Sequence, residues 1–164
     1  LDWDQWCSNV TYLLDSGKLR SLHVMCTINA LCLLSLDEFL WQIIKLKQKY
    51  GKDSINFSLN ILRFPSFQSP LILPLEIRQA ACEQLAKIGY TYIDSTSGML
   101  HEYEYNQLAR LISYLQEVDT PHNNAVSKDI LCRDFKNFYL QYDQRRSKNF
   151  AETFSELQEW YSTL

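Results

Sequence analysis

Residues 55–61, INFSLNI, alternate without a break between apolar and polar side chains, which is the period of a strand with one buried face. A second short run, residues 22–28 (LHVMCTI), precedes it and is too brief between its flanks to be a helix. Between them the stripe Leu36, Phe39, Leu40, Ile43, Ile44 and Tyr50 predicts one amphipathic helix, stopped by Gly51. Strands joined through a helix pair in parallel, because the crossover returns the chain to the end from which it started. Two parallel strands cannot bury themselves, so this pair must belong to a larger sheet or barrel.

The remaining elements are predicted to be helical. Trp3, Trp6, Val10, Leu13 and Leu14 form a stripe ending at Gly17, and Ser35 with Glu38 has the S-x-x-E spacing of a capping box at the start of the next helix. An irregular stretch, RFPSFQSPLILP, leads to Pro74, from which Ile77, Ala81, Leu85 and Ile88 mark a helix ending at Gly89. After the polar link DSTSG no strand is expected. Three helical stripes follow: Leu108, Leu111, Ile112, Leu115 and Val118; Ile130, Leu131, Phe135, Phe138 and Tyr142; and Phe150, Phe154, Leu157 and Tyr161. The expected organisation is an α/β unit over residues 1–93 and an all-helical C-terminal extension over 94–164.

Charge and cysteine usage narrow the partners. A net charge of −3 provides no chain-wide attraction to nucleic acid or to an anionic membrane, and no apolar run of about 20 residues is present to span one. Neither partner is expected. Cys7, Cys26, Cys32, Cys82 and Cys132 are scattered without a CxxC pair, which points to reduced, mostly buried thiols and a cytoplasmic location. His23, His101 and His122 make no metal spacing, and the arginine pair of YDQRR is read as complementing a helix C-terminus. Neither a P-loop nor a Ser/His/Asp or Cys/His arrangement is legible.

Strand alternation identifies candidate site residues. In a barrel of parallel strands, alternate side chains face the surrounding helices and the interior. Leu22, Val24, Cys26 and Ile28, with Ile55, Phe57, Leu59 and Ile61, form the helix-facing set; His23, Met25, Thr27 and Asn29, with Asn56, Ser58 and Asn60, form the other. Such a polar lining is costly unless it bonds to water, to itself or to a ligand. Ligand sites lie at the carboxyl ends of parallel strands, which ranks Thr27, Asn29, Asn60 and Arg63 above His23 and Asn56. With the helix start assigned to Ser35, Thr27 and Asn29 are left for a role other than ending a strand. A polar face turned to solvent at an open sheet is the other reading, and the pattern leaves both open.

Four segments resemble radical S-adenosylmethionine enzymes, in particular the subgroup with twitch or SPASM-type auxiliary regions: DWDQWCSNVTYLL, VMCTINALCLLSLDEFL, SINFSLNILRFPSFQSPLILPLEIR and DFKNFYLQYDQRRSKNFAETFSELQEWY. Together they cover most of the chain. The resemblance implies the C-terminal portion of a partial (β/α)6 TIM-like barrel, whose two parallel strands are its last two. It also implies a parent enzyme that cleaves S-adenosylmethionine, bound at a 4Fe-4S cluster, to a 5'-deoxyadenosyl radical. By the same likeness Thr27 and Asn29 would lie near the cofactor, and Ser58, Asn60 and Arg63 near a substrate that is a peptide or a small molecule. The family's CxxxCxxC loop is absent from this sequence, as is its GGE-type motif. The chain opens LDWDQW without a methionine, so the implied partner is a missing N-terminal half of the barrel, and the chain alone is expected to be inactive. The alternative is a non-enzymatic, mostly helical interaction module.

Overall fold

The strands at Leu22–Ile28 (β1) and Ile55–Ile61 (β2) lie side by side and parallel, with Leu22 opposite Ile55 and Ile28 opposite Ile61. The computed structural model describes residues 2–93, 98–117 and 126–164. The helices are α1 (Trp3–Asp15), α2 (Leu36–Tyr50), α3 (Leu75–Ile93), α4 (Glu102–Leu115), α5 (Lys128–Arg146), α6 (Phe150–Thr153) and α7 (Gln158–Thr163). Short 3-10 turns stand at Ser66–Gln68, Pro70–Ile72 and Ser155–Leu157. The fold is therefore mixed α/β: two parallel strands alternating with helices, then a mostly helical C-terminal part.

Alternation along the strands decides which face is covered. Ile55, Phe57 and Leu59 are fully buried, and Leu22, Val24 and Cys26 are half-buried against the same core. The core includes Leu40, Ile43 and Ile44 of α2, Leu85 and Ile88 of α3, and Leu108 and Leu111 of α4. Burying such side chains provides about 1.5–3 kcal/mol each, enough to hold a sheet that pairing alone would not stabilise. The opposite face is polar and open: His23, Thr27 and Asn60 are exposed, and Met25 is 74% exposed.

The two edges of the sheet are treated differently. Leu22 donates to the Ser54 carbonyl and Leu62 to the Ile28 carbonyl, so the even-numbered residues of β1 turn their backbone groups toward β2. By the same alternation, Ile55, Phe57, Leu59 and Ile61 turn theirs away from β1. There α4 supplies side chains in place of a strand. Glu104 Oε1 accepts from Phe57 N–H (3.2 Å), Gln107 Oε1 from Leu59 N–H (3.4 Å), and Arg110 donates to the Leu59 carbonyl. Residues three apart on a helix share a face, which is why one helix can follow the edge for this distance. The outer edge of β1, formed by the backbone of His23, Met25 and Thr27, has no strand neighbour among the described residues. Amide hydrogen exchange should therefore separate the two edges: Phe57 and Leu59 are expected to exchange at least about 100-fold more slowly than His23 and Met25. Equal protection at both edges would contradict this arrangement.

Several expectations are corrected. Ser35 stands at the N-terminus of α2, but its side chain makes no capping bond; its hydroxyl donates to the Cys32 carbonyl (3.4 Å), so the capping box is not formed. Such a reciprocal pair occurs at α4, where the Glu104 carboxylate takes the His101 N–H (2.8 Å). Gly89 does not end α3, which continues to Ile93; it is buried where the Tyr105 ring of α4 comes to 3.6 Å of an added Cβ. Gly17 (φ +61°) and Gly51 (φ +100°) do end α1 and α2, in conformations that glycine adopts without strain. The last helical stripe is broken at Phe154, whose φ of −125° and ψ of 63° are not helical. Only Cys82 is buried; Cys7, Cys26, Cys32 and Cys132 are half-buried. Most of the DSTSG link, Val118 and His122 lie outside the described residues.

Candidate functional site

The open face of the sheet brings together three of the five candidate residues. Thr27 and Asn60 are register partners at the carboxyl end, and Ser58 lies one step back beside Met25. The Thr27 hydroxyl and the Asn60 amide bond to no other side chain or backbone group among the described residues, whereas Ser58 Oγ lies 3.1 Å from His23 Nε2. At the amino end Asn56 is committed: Nδ2 donates to Ser21 Oγ (2.8 Å), and Oδ1 accepts from Lys47 Nζ (3.4 Å). Free donors and acceptors thus collect at the carboxyl end, where parallel sheets place their ligands.

Asn29 has a local task. Its Oδ1 accepts from Leu31 N–H (2.9 Å) and Cys32 N–H (3.1 Å), holding the turn that follows β1. Asn29 therefore does punctuate the end of β1, and the Ser35 hydroxyl does not cap α2. Cys32 closes the same turn, its sulfur accepting from Asn29 N–H (3.3 Å) and reaching the Thr27 carbonyl (3.5 Å).

Arg63 is placed apart from the other four. It lies past the last residue of β2 and turns toward α4, where its guanidinium carbon is 5.1 Å from the centre of the Tyr114 ring. Tyr114 is buried, and its hydroxyl is 3.0 Å from Ser69 Oγ, itself buried in the turn before α3. Phe64, the next residue, is 85% exposed on this rim. Sequence reasoning missed Tyr114 as the support of Arg63. Its position three residues after Leu111 and six after Leu108 marks it as core, and nothing in the sequence pairs it with a residue 51 positions earlier.

Behind the open face lies a buried ion pair. Lys47 Nζ is 2.7 Å from Glu104 Oε2, and both side chains are fully buried. Burial lowers the lysine pKa while the carboxylate opposes that shift. Arg78, also buried, donates to the carbonyls of Leu73 (3.2 Å), Leu115 (2.8 Å) and Glu117 (2.9 Å) and so holds the C-terminus of α4. A groove of about 400 Å³ runs between α3 and α4, lined by Cys82, Leu85, Gly89, Tyr105, Leu108 and Ile112 among others and by no strand residue.

The cysteines are spread over separate elements: Cys7 on α1, Cys26 on β1, Cys32 in the turn after it, Cys82 on α3 and Cys132 on α5. Burial pushes the Cys26 thiol up to about 11 and raises that of Cys32 as well. No group of three or more His, Cys, Asp or Glu side chains suited to a metal ion occurs among the described residues. No helix is long and apolar enough to cross a membrane, again among the described residues. Compared with protein-family models, curated proteins and solved structures, the chain has no match.

Proposed function

We propose that this chain is the C-terminal portion of a radical S-adenosylmethionine enzyme, with the open face of β1 and β2 forming part of the wall of a partial (β/α)6 barrel around the cofactor and substrate. The observation that carries the reading is the asymmetry of the sheet. Its β2 edge is occupied by Glu104, Gln107 and Arg110, its β1 edge is unpaired, and one face is polar and uncovered. That is the form expected of the last two strands of a longer parallel sheet. The sequence resemblance implies the same placement, with these two strands at the end of the family's barrel.

In this reading Thr27 and Asn60 offer a hydroxyl and an amide to the cofactor or substrate, while Asn29 acts through the turn that it holds at the carboxyl end of β1. Ser58 is oriented by His23 on the same wall, and Arg63 stands at the rim. S-adenosylmethionine, when bound, supplies hydrogen-abstracting chemistry; this chain's residues supply hydrogen bonds and shape. The iron-sulfur cluster would be held by residues upstream, since this sequence has no CxxxCxxC loop.

Purified anaerobically together with its upstream region, the protein is expected to hold at least about four iron atoms per chain and to cleave S-adenosylmethionine under reduction. The chain alone is expected to be colourless and inactive. A colourless, inactive product from the extended protein would overturn the proposal. It would favour the second reading, a helical interaction module, to which the groove between α3 and α4 and the exposed Tyr90 at its rim lend support.

A further inference from the structure

We infer that Arg63 is a preorganised receptor for an oxyanion, a carboxylate or a phosphate, and that Tyr114 is its positioning residue. The guanidinium lies over the face of a buried ring pinned by the contact between Tyr114 Oη and Ser69 Oγ, an arrangement that holds a cation at modest entropic cost. Among the described residues no hydrogen bond or ion pair takes the guanidinium N–H groups, the set that binds an oxyanion through two parallel hydrogen bonds. No carboxylate answers it: among the described residues Arg63 contacts only that ring.

Other arginines differ in ways that matter. Arg78 and Arg110 use their N–H groups on backbone carbonyls, and Arg145 reaches Gln141. Arg133 and Arg146 are exposed, with no ring or partner that fixes them among the described residues. Arg63 combines a fixed guanidinium with unused donors, and it does so just past the carboxyl end of β2. The C-terminus of α4 favours a cation nearby and so accounts for some of its placement. A dipole does not occupy the in-plane N–H groups, however, and the neighbouring carbonyls of Leu115 and Glu117 are already bonded by Arg78.

Assigning the oxyanion to a substrate rests on the enzyme reading above; the oxyanion site itself does not. The test is side-chain NMR of the arginine Nε–H groups during titration with sodium acetate or methyl phosphate, with ionic strength held by sodium chloride and neither iron nor S-adenosylmethionine present. Arg63 is expected to saturate at least about 5-fold more tightly than Arg133 and Arg146. The probe that binds more tightly identifies carboxylate or phosphate as the preferred group. Arg63→Lys, which keeps the charge and loses the fork, is expected to weaken binding about 3- to 10-fold, read from the displacement of methyl phosphate at neighbouring backbone amides. Tyr114→Leu should weaken it about 2- to 5-fold, and Tyr114→Phe less, because the ring face stays and only the Ser69 contact is lost. Equal titration at all three arginines, or full affinity in Arg63→Lys, would overturn the inference. Because the titration needs no cofactor, a failed iron and cleavage assay leaves its result standing, and a failed titration leaves the enzyme reading standing.

Discussion

Replacing Glu104 by alanine should destabilise the protein by about 3–5 kcal/mol at pH 7, measured as a lower urea midpoint with unchanged slope. The substitution strands the Lys47 ammonium, which is fully buried and 2.7 Å from the carboxylate that balances it. It also removes the acceptor for the N–H groups of Phe57 and His101, one on the edge of β2 and one at the start of α4. The pH dependence has a definite sign. Burial already lowers the Lys47 pKa from 10.5, and without Glu104 it falls further. Between that lowered value and 10.5 the unfolded chain binds more protons than the folded one, so stability rises with pH across this window. The variant should therefore recover part of its deficit relative to wild type as pH is raised from 7 toward 10. The double variant Lys47→Met with Glu104→Gln should regain much of the loss at pH 7, because it leaves no buried charge. A deficit below about 1 kcal/mol, or one that widens with alkalinity, would contradict the account.

Arg78→Met is the second large effect, expected at about 3–4 kcal/mol by the same measurement. Methionine keeps most of the buried aliphatic volume but withdraws the guanidinium donors from the carbonyls of Leu73, Leu115 and Glu117, leaving Leu73 only the longer contact from Lys128 Nζ (3.5 Å). Arg78→Lys should recover only part, since one ammonium cannot reproduce the spread of the guanidinium. The damage should travel along α4. That helix sets Glu104, Gln107 and Arg110 on the edge of β2, so loosening its C-terminus should raise hydrogen exchange at Leu59 before Phe57.

How much of this was legible depends on range. The strands and α2 could be read because their periods are local and unmixed: Ile55, Phe57 and Leu59 bury one face, and Leu36, Leu40, Ile43 and Ile44 one stripe. What sequence reasoning missed was contact between distant segments. Lys47 follows Ile43 by four residues and Ile44 by three, so it lies on the buried stripe of α2, and Glu104 precedes Leu108 by four on that of α4. Each is a charge on an apolar face, a signal that a partner exists, though not which one. The capping box at Ser35 failed for a local reason, since a serine hydroxyl can turn back to a carbonyl three residues earlier. Asn29 was identified as a candidate from its place on the strand, but whether its side chain served a ligand or its own turn depended on the conformation of the next three residues. Thr27, Ser58 and Asn60 reach one face because alternation and parallel register together put them there, and both were inferable.

The unequal edges of the sheet also decide where this polypeptide is at risk outside its intended context. The run LHVMCTI holds no acidic residue, lysine, arginine or proline, and its outer backbone groups are unpaired. Short neutral segments of this type are templates for intermolecular pairing, which natural proteins suppress with charge, proline or a covering element. The β2 side has such a cover in α4. This run is thus an aggregation hazard, and solubility engineering should begin at Met25, its exposed apolar side chain.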